Sequence, residues 1–385
     1  MNNRIVSSIF FAFVLLVGWP ANAQIFDIDG NEELEAPADG LQVLRHLFGF
    51  SSSSLTVAAI ANGAQQTNRD SEVKEATSMP PNKGADQEKE KLMKEQVAPK
   101  AVTPILGEIV HYREFPSEHV RPRPVDVWLP EGYDSTSSDR YPVIYMHDGQ
   151  MMFHVSTSPY AGMDLFWDVD KAITRLAGDG EIRPAIVVSV WMADWAKGAR
   201  GAEYMPQKPV TDKVWQRMKE IGGSFAVEDG GETMGSDSYL KFLVDELKPF
   251  IDQTYATQSD RDNTFIAGSS MGGLISAYAI AEYPNVFGGA ACMSSHWNIG
   301  EGAILQWFTQ HWPSSGAHRV YFDYGTEGFD AHYEAYQKQM DAVMRQRGYT
   351  SGEDWITLRF DGADHSPSAW RERLHIPLKF LLGQP

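Results

Sequence analysis

Three short stretches of the chain carry residue types that suit acyl transfer to a side-chain oxygen. Thr264-Phe265-Ile266-Ala267 runs into Gly268-Ser269-Ser270-Met271-Gly272-Gly273, and Leu274-Ile275-Ser276-Ala277-Tyr278 continues with helical character. The order predicts a strand, a sharp turn and a helix with Ser270 on the turn. Glycines two residues to either side leave room for the strained backbone that lifts a serine hydroxyl above a sheet. Trp355 to Phe360 reads as a strand, broken by Asp361-Gly362-Ala363-Asp364-His365 ahead of another helix. His365 is then a loop residue at a strand's C-terminal end, where an imidazole can act as general base toward Ser270. Between them in sequence, Val320 to Tyr324 reads as a strand followed by a loop with two acids, Glu327 and Asp330. One of these should orient the imidazole and stabilise its charged form. Asp323 lies inside the strand and is set aside. Asp330 is the preferred acid and Glu327 the alternative, the other being free to cap a helix that begins near Ala331.

A tetrahedral oxyanion needs two donors. The backbone N–H of Met271 is the first by the geometry of the turn, and the second should come from the loop after an earlier strand. Tyr141 to Met146 leads into His147-Asp148-Gly149-Gln150, which nominates the N–H of Gln150. His147 and Asp148 are expected to brace this loop rather than form a second catalytic pair.

The elements that must position these groups alternate along the chain. Ile105 to Arg113 and Pro124 to Trp128 alternate like exposed strands. Tyr141 to Met146, Ala185 to Trp191, Thr264 to Ala267, Gly288 to Met293 and Val320 to Tyr324 are short continuous apolar runs of the kind buried in parallel sheets. Amphipathic stretches lie between them, clearest over Tyr239 to Ile251, Leu274 to Ala281 and Ala331 to Arg347. The pattern predicts an α/β domain over residues 102–385, a doubly wound, mostly parallel sheet with helices on both faces.

The preceding residues divide differently. Residues 1–23 hold Arg4, an uncharged apolar stretch from Ile5 to Trp19, and Pro20-Ala21-Asn22-Ala23. This is the layout of a secretory signal peptide, too short to span as a helix, and it places the mature protein in the periplasm or outside the cell. Residues 24–50 open with six acids and no base before Leu41. Asp27, Asp29 and Asn31 stand at alternate positions, as the start of a calcium loop requires. The segment resembles half of a dockerin repeat, which would make calcium a structural ion there. It departs from that pattern with Glu32 at the loop's glycine and Ala38 at its twelfth position. Residues 51–101 are polar, and from Gln65 to Lys100 seven acids face seven bases. Such a composition predicts a disordered tether.

Net charge narrows the partners. The chain carries 33 Lys+Arg against 51 Asp+Glu, and residues 101–385 alone hold 38 acids and 24 bases. An acidic domain without a basic block gives no footing for nucleic acid and disfavours polyanionic substrates. Cys292 is the single cysteine, so no intrachain disulfide and no cysteine-rich zinc site can form.

His147-Asp148-Gly149-Gln150, Arg200-Gly201-Ala202-Glu203-Tyr204-Met205-Pro206, Gly268-Ser269-Ser270-Met271-Gly272-Gly273 and Gly362-Ala363-Asp364-His365 together resemble the family named "Putative esterase" among the α/β-hydrolases. That family includes enterochelin esterases, feruloyl esterases and S-formylglutathione hydrolases. The resemblance covers roughly Ile105 to Leu382. It implies an α/β-hydrolase fold and hydrolysis of a small-molecule or carbohydrate ester by Ser270, His365 and an acid, with no catalytic cofactor. Acyl transfer to an alcohol through the same acyl-enzyme is the alternative, and a non-catalytic binding module on this scaffold is another. Relatives often carry an acid two residues after the histidine, where this chain has Pro367. For the substrate, Phe166, Trp167, Trp191 and Trp195 could stack on a sugar or aryl group. Arg200 is expected either to pair with Glu203 in a lid or to meet a substrate carboxylate.

Overall fold

The computed structural model describes residues 105–153, 165–192, 199–221 and 234–383. The expected signal peptide, the expected calcium segment with Asp27, Asp29 and Asn31, the expected tether and Trp195 lie outside the described residues. Among those described, no helix is long and apolar enough to cross a membrane.

Among the described residues, eight strands form one sheet: β1 (Glu108–Phe115), β2 (Arg123–Leu129), β3 (Val143–His147), β4 (Ile186–Val190), β5 (Thr264–Ser269), β6 (Gly289–Met293), β7 (Arg319–Gly325) and β8 (Trp355–Phe360). Their spatial order is β1-β2-β4-β3-β5-β6-β7-β8. The pairs β1/β2 and β2/β4 are antiparallel and every later pair is parallel, which is the α/β-hydrolase arrangement expected from the alternation of runs. Strands β3 to β6 are buried along their whole length, which explains why they read as unbroken apolar runs. The edges β1 and β8 keep exposed and half-exposed residues.

Alternation along the strands divides the core into two layers. Val143 and Tyr145 of β3, Val188 of β4, Ile266 of β5 and Phe322 of β7 face one layer. Ile144, Met146, Val187, Phe265 and Tyr321 face the other. The second layer is closed by α1 (Val169–Gly178), through Val169, Ile173 and Leu176, and by the last helices of the chain. The first is closed by α2 (Ala199–Tyr204), α3 (Asp212–Ile221), α4 (Ser236–Lys241) with its π-helical continuation Phe242–Leu247, α5 (Lys248–Thr254) and α6 (Met271–Glu282). It also includes α7 (Ala303–His311) and α8 (Glu334–Gln346). The chain ends with α9 (Pro367–Arg373) and α10 (His375–Leu382). Helix α6 is buried from Met271 to Ile280, and its apolar residues Leu274, Ile275, Ala277, Ala279 and Ile280 leave no polar face. A helix apolar on all sides belongs inside, and this one carries Ser270 at its head.

Cys292 sits in β6, fully buried, and burial holds its thiol well above the ordinary range. It is inert packing rather than chemistry.

Candidate active site

The C-terminal ends of β3, β5, β6, β7 and β8 open on one edge of the sheet, and the groups singled out by spacing gather there. Four non-glycine residues among those described have positive φ: Asp148, Asp168, Ser270 and Ser294. Three of them directly or nearly follow β3, β5 and β6 at this edge. Such conformations cost about 1–3 kcal/mol each and persist only where surrounding contacts fix them.

Ser270 has φ 58° and ψ −121° and precedes the first residue of α6. The turn is possible because its glycines touch. A Cβ on Gly268 would lie 2.7 Å from the Gly272 carbonyl carbon, and one on Gly273 would lie 2.5 Å from Ser295 Oγ. The Ser270 N–H donates to Met293 O at 2.9 Å, and Ser270 O accepts from the His296 N–H at 3.2 Å. Both contacts lock the elbow to the loop after β6. The Met271 N–H opens the helix, where the first donors have no intrahelical partner.

His365 follows β8, half-buried, and its Nδ1 lies 2.5 Å from Asp330 Oδ1. Asp330 is buried in the short helical turn Gly328–His332, whereas Glu327 precedes that turn and is exposed. The Asp330 Oδ2 accepts from Ser294 Oγ at 2.5 Å and from the Gly325 N–H at 2.7 Å. Burial pushes this carboxyl up, but the His365 hydrogen bond and charge, with Ser294 and Gly325, hold it below the usual carboxylate range. The loops after β7 and β8 are stitched together. Thr326 and Glu327 N–H groups both donate to Ala363 O at 3.0 Å, and Gly362 N–H donates to Thr326 Oγ1 at 2.8 Å. Gly325 must be glycine here, since a Cβ would stand 2.2 Å from Ala363 O. Directly after His365, Ser366 caps α9 by accepting from the Ala369 N–H at 3.2 Å, with Pro367 leading the helix. Trp370 from that helix then meets the His365 ring edge-on at 5.0 Å.

A second layer escaped the sequence reading. Asp323 stays inside β7, as its position required, and is fully buried. Arg373 grips it with Nε and Nη2, each at 3.0 Å, while Tyr321 Oη donates to it at 2.8 Å. Burial, opposed by Arg373, raises its carboxyl. Ser294 Oγ joins this pair to the site, accepting from Arg373 Nη2 at 2.9 Å and Trp370 Nε1 at 3.0 Å while donating to Asp330. The only local hint was a serine pair just past the β6 run.

The loop after β3 is held from three sides. Asp148 has φ 58° and leads the turn Gly149–Met151 that contains Gln150. Its carboxylate takes two 2.7 Å bonds from Arg200 Nε and Nη2. Gly149 O accepts from Ser189 Oγ at 2.8 Å, and Gln150 Oε1 accepts from the Met192 N–H at 3.2 Å. His147 lies 2.8 Å from Tyr239 Oη, and complete burial, helped by Arg200, lowers its pKa to about 3. His147 is therefore neutral, and both residues brace the loop as expected. Arg200 does not pair with Glu203. Glu203 is gripped by Arg123 from β2, at 2.7 and 2.6 Å. Residues three apart on α2 share a helix face, but each of the opposed charges finds a bidentate partner off the helix, Asp148 in the loop after β3 and Arg123 on β2.

The aromatic candidates scatter. Trp167 is buried against Trp370, with ring centroids 5.7 Å apart. Phe166 lies under Arg371, and Trp191 Nε1 donates to Asp126 at 2.6 Å. Each of these three is engaged within the protein.

Residues 117–381 match the family model described as "Putative esterase". "Uncharacterized protein YbbA" of Bacillus subtilis is 25% identical over 270 residues, covering 67% of this chain and 92% of that protein. An "Endo-1,4-beta-xylanase/feruloyl esterase" of Xylanibacter ruminicola is 28% identical over 168 residues, 42% of this chain and 18% of that protein. Among solved structures, the BES protein of Bacillus cereus superposes with a TM-score of 0.53 at 16% identity, covering 73% of this chain and 98% of that one.

Proposed function

The chain belongs to the Putative esterase family and is a carboxylic ester hydrolase, and from that premise we propose that it works through a Ser270–His365–Asp330 triad and an acyl-enzyme. The observation that carries this reading is the 2.5 Å contact between His365 Nδ1 and an Asp330 carboxylate kept ionised beside it. A carboxylate can only accept, so Nδ1 carries the proton and Nε2 presents a lone pair. Ser270 Oγ attacks the ester carbonyl as Nε2 takes its proton. The N–H groups of Met271 and Gln150 receive the oxyanion, and the imidazolium then protonates the departing alkoxide. Water enters, loses a proton to Nε2, and adds to the acyl carbonyl. Collapse of that second tetrahedral adduct frees the acid and restores Ser270.

A small ester is the substrate class that follows, and the partial match to a protein named as a feruloyl esterase makes hydroxycinnamoyl esters the first panel to assay. Treating the protein with a fluorophosphonate should label Ser270, and Ser270→Ala and His365→Ala should abolish turnover of p-nitrophenyl acetate and butyrate. Undiminished turnover in Ser270→Ala would overturn the triad.

A further inference from the structure

The loop that follows β6 places a second imidazole at the reaction centre. His296 is tied to the nucleophile through its backbone, donating its N–H to Ser270 O at 3.2 Å. Its ring stands 6.5 Å from the His365 ring, nearly perpendicular at 76°. Tyr333 packs against both imidazoles, with ring centroids 5.7 Å from each. The side chain is half-buried, and neither ring nitrogen has a hydrogen-bond partner among the described residues. Burial, the neighbouring His365 and Arg200 lower its pKa to about 3 against the pull of Asp330, so the ring is neutral under working conditions. A neutral imidazole offers one donor and one acceptor, the pair that a hydroxyl group satisfies. Beside it, Tyr333 Oη is buried with no hydrogen-bond partner among the described residues, which adds a second polar group to the same corner.

Topology says which part of the substrate this corner meets. Strand β5, which carries Ser270, lies between β3 and β6. The loop after β3 supplies Gln150, so the ester carbonyl oxygen points to that side. His365 and His296 stand on the other side, where the departing alcohol must go to receive its proton. With the ester oxygen in reach of His365, a ring centred 6.5 Å from the His365 ring is within reach of atoms a few bonds further along the alcohol.

We propose that His296 is a specificity-determining residue that hydrogen-bonds a hydroxyl close to the ester oxygen on the leaving alcohol. The inference rests on Ser270 and His365 acting as read above. It selects between esters with the same acyl group and distinguishes hydroxylated alcohols from plain alkyl ones.

The test compares glyceryl monoacetate with propyl acetate, which share the acyl group and a three-carbon alcohol, in a pH-stat with rates divided by the fluorophosphonate titre. The wild-type protein should favour the glyceryl ester about 10-fold in kcat/KM, the size of one substrate hydrogen bond. His296→Leu should bring the ratio near unity, and His296→Asn, which keeps a donor and an acceptor, should restore part of it. Equal kcat/KM for the two esters in the wild type, or the same ratio in His296→Leu as in the wild type, would overturn the proposal. Should His296→Leu give no titre, His296→Asn against His296→Ala carries the comparison. Hydrolysis surviving in Ser270→Ala would instead sink the triad reading, so the two failures are separable.

Discussion

Asp330→Asn exchanges one atom and tests how the site sets a tautomer. Asp330 Oδ2 has two donors, the Gly325 N–H at 2.7 Å and Ser294 Oγ at 2.5 Å, while Oδ1 faces His365 Nδ1 at 2.5 Å. The Gly325 N–H is backbone and cannot become an acceptor, so the asparagine carbonyl must take the Oδ2 place. Its amide N–H₂ then faces His365 Nδ1, which can only accept. The imidazole proton moves to Nε2, and the lone pair that should receive the Ser270 proton is gone. Wrong-tautomer variants of such triads lose about 10⁴-fold in kcat, and a loss on that order is expected here. Glu327→Gln, on an exposed side chain, should stay within about twofold of wild type. The assay is steady-state hydrolysis of p-nitrophenyl butyrate, with urea midpoints to show that both variants fold. The Asp330 carboxyl lies below its ordinary value in the fold, so its contribution to stability is present above about pH 4 and fades as pH falls through the folded value. A modest drop in the midpoint of Asp330→Asn near neutral pH is therefore consistent with an intact fold. Retention of more than about a tenth of wild-type kcat in Asp330→Asn would refute the reasoning, and a larger loss in Glu327→Gln would exchange the two acids.

Two further outcomes concern stability. Arg373→Met leaves the fully buried Asp323 without its cation and should cost about 3–5 kcal/mol in urea unfolding. Pairing it with Asp323→Leu should recover much of that, and a single-variant loss under about 1 kcal/mol would show that Arg373 contributes little to holding the carboxylate. For pH, His147 protonates at about 3 in the fold but near 6.5 when unfolded. Between those values the unfolded chain binds the extra proton, so stability declines as pH falls from about 6.5 toward 3 and is unaffected by this group above that window. Urea midpoints of the wild type and His147→Gln, measured at about pH 7.5, 6 and 5, should diverge less at the lower values, and parallel curves would contradict the buried neutral imidazole.

The parts of this molecule that could be read in its sequence are those whose demands are local. Strand β8 has the limits Trp355–Phe360 that its pattern predicts, and the runs of β3 to β6 announce strands buried on both faces. The edge is less legible. Ile105 to Arg113 reads as the first strand, yet pairing begins at Glu108 and runs to Phe115, because Gly107 takes φ 80° and the register shifts between Tyr112 and Phe115. The elbow at Ser270 is legible because the contact that forces Gly268 is with Gly272, four residues away.

Charge pairing follows no such rule. Arg200 reaches Asp148 across 52 positions, Arg123 reaches Glu203 across 80, and Arg373 reaches Asp323 across 50. On helical spacing alone Arg200 and Glu203 are natural partners. The exchange has a functional reading, because α2 is thereby fixed at both charges. Arg123 anchors it to β2 through Glu203, and Arg200 carries that anchorage to Asp148, two residues before Gln150. A pair closed within α2 would leave Asp148 buried without its cation and the loop free to relax from its left-handed turn. The bonds that cross between elements are what convert a rigid helix and a buried strand into a fixed direction for one backbone N–H.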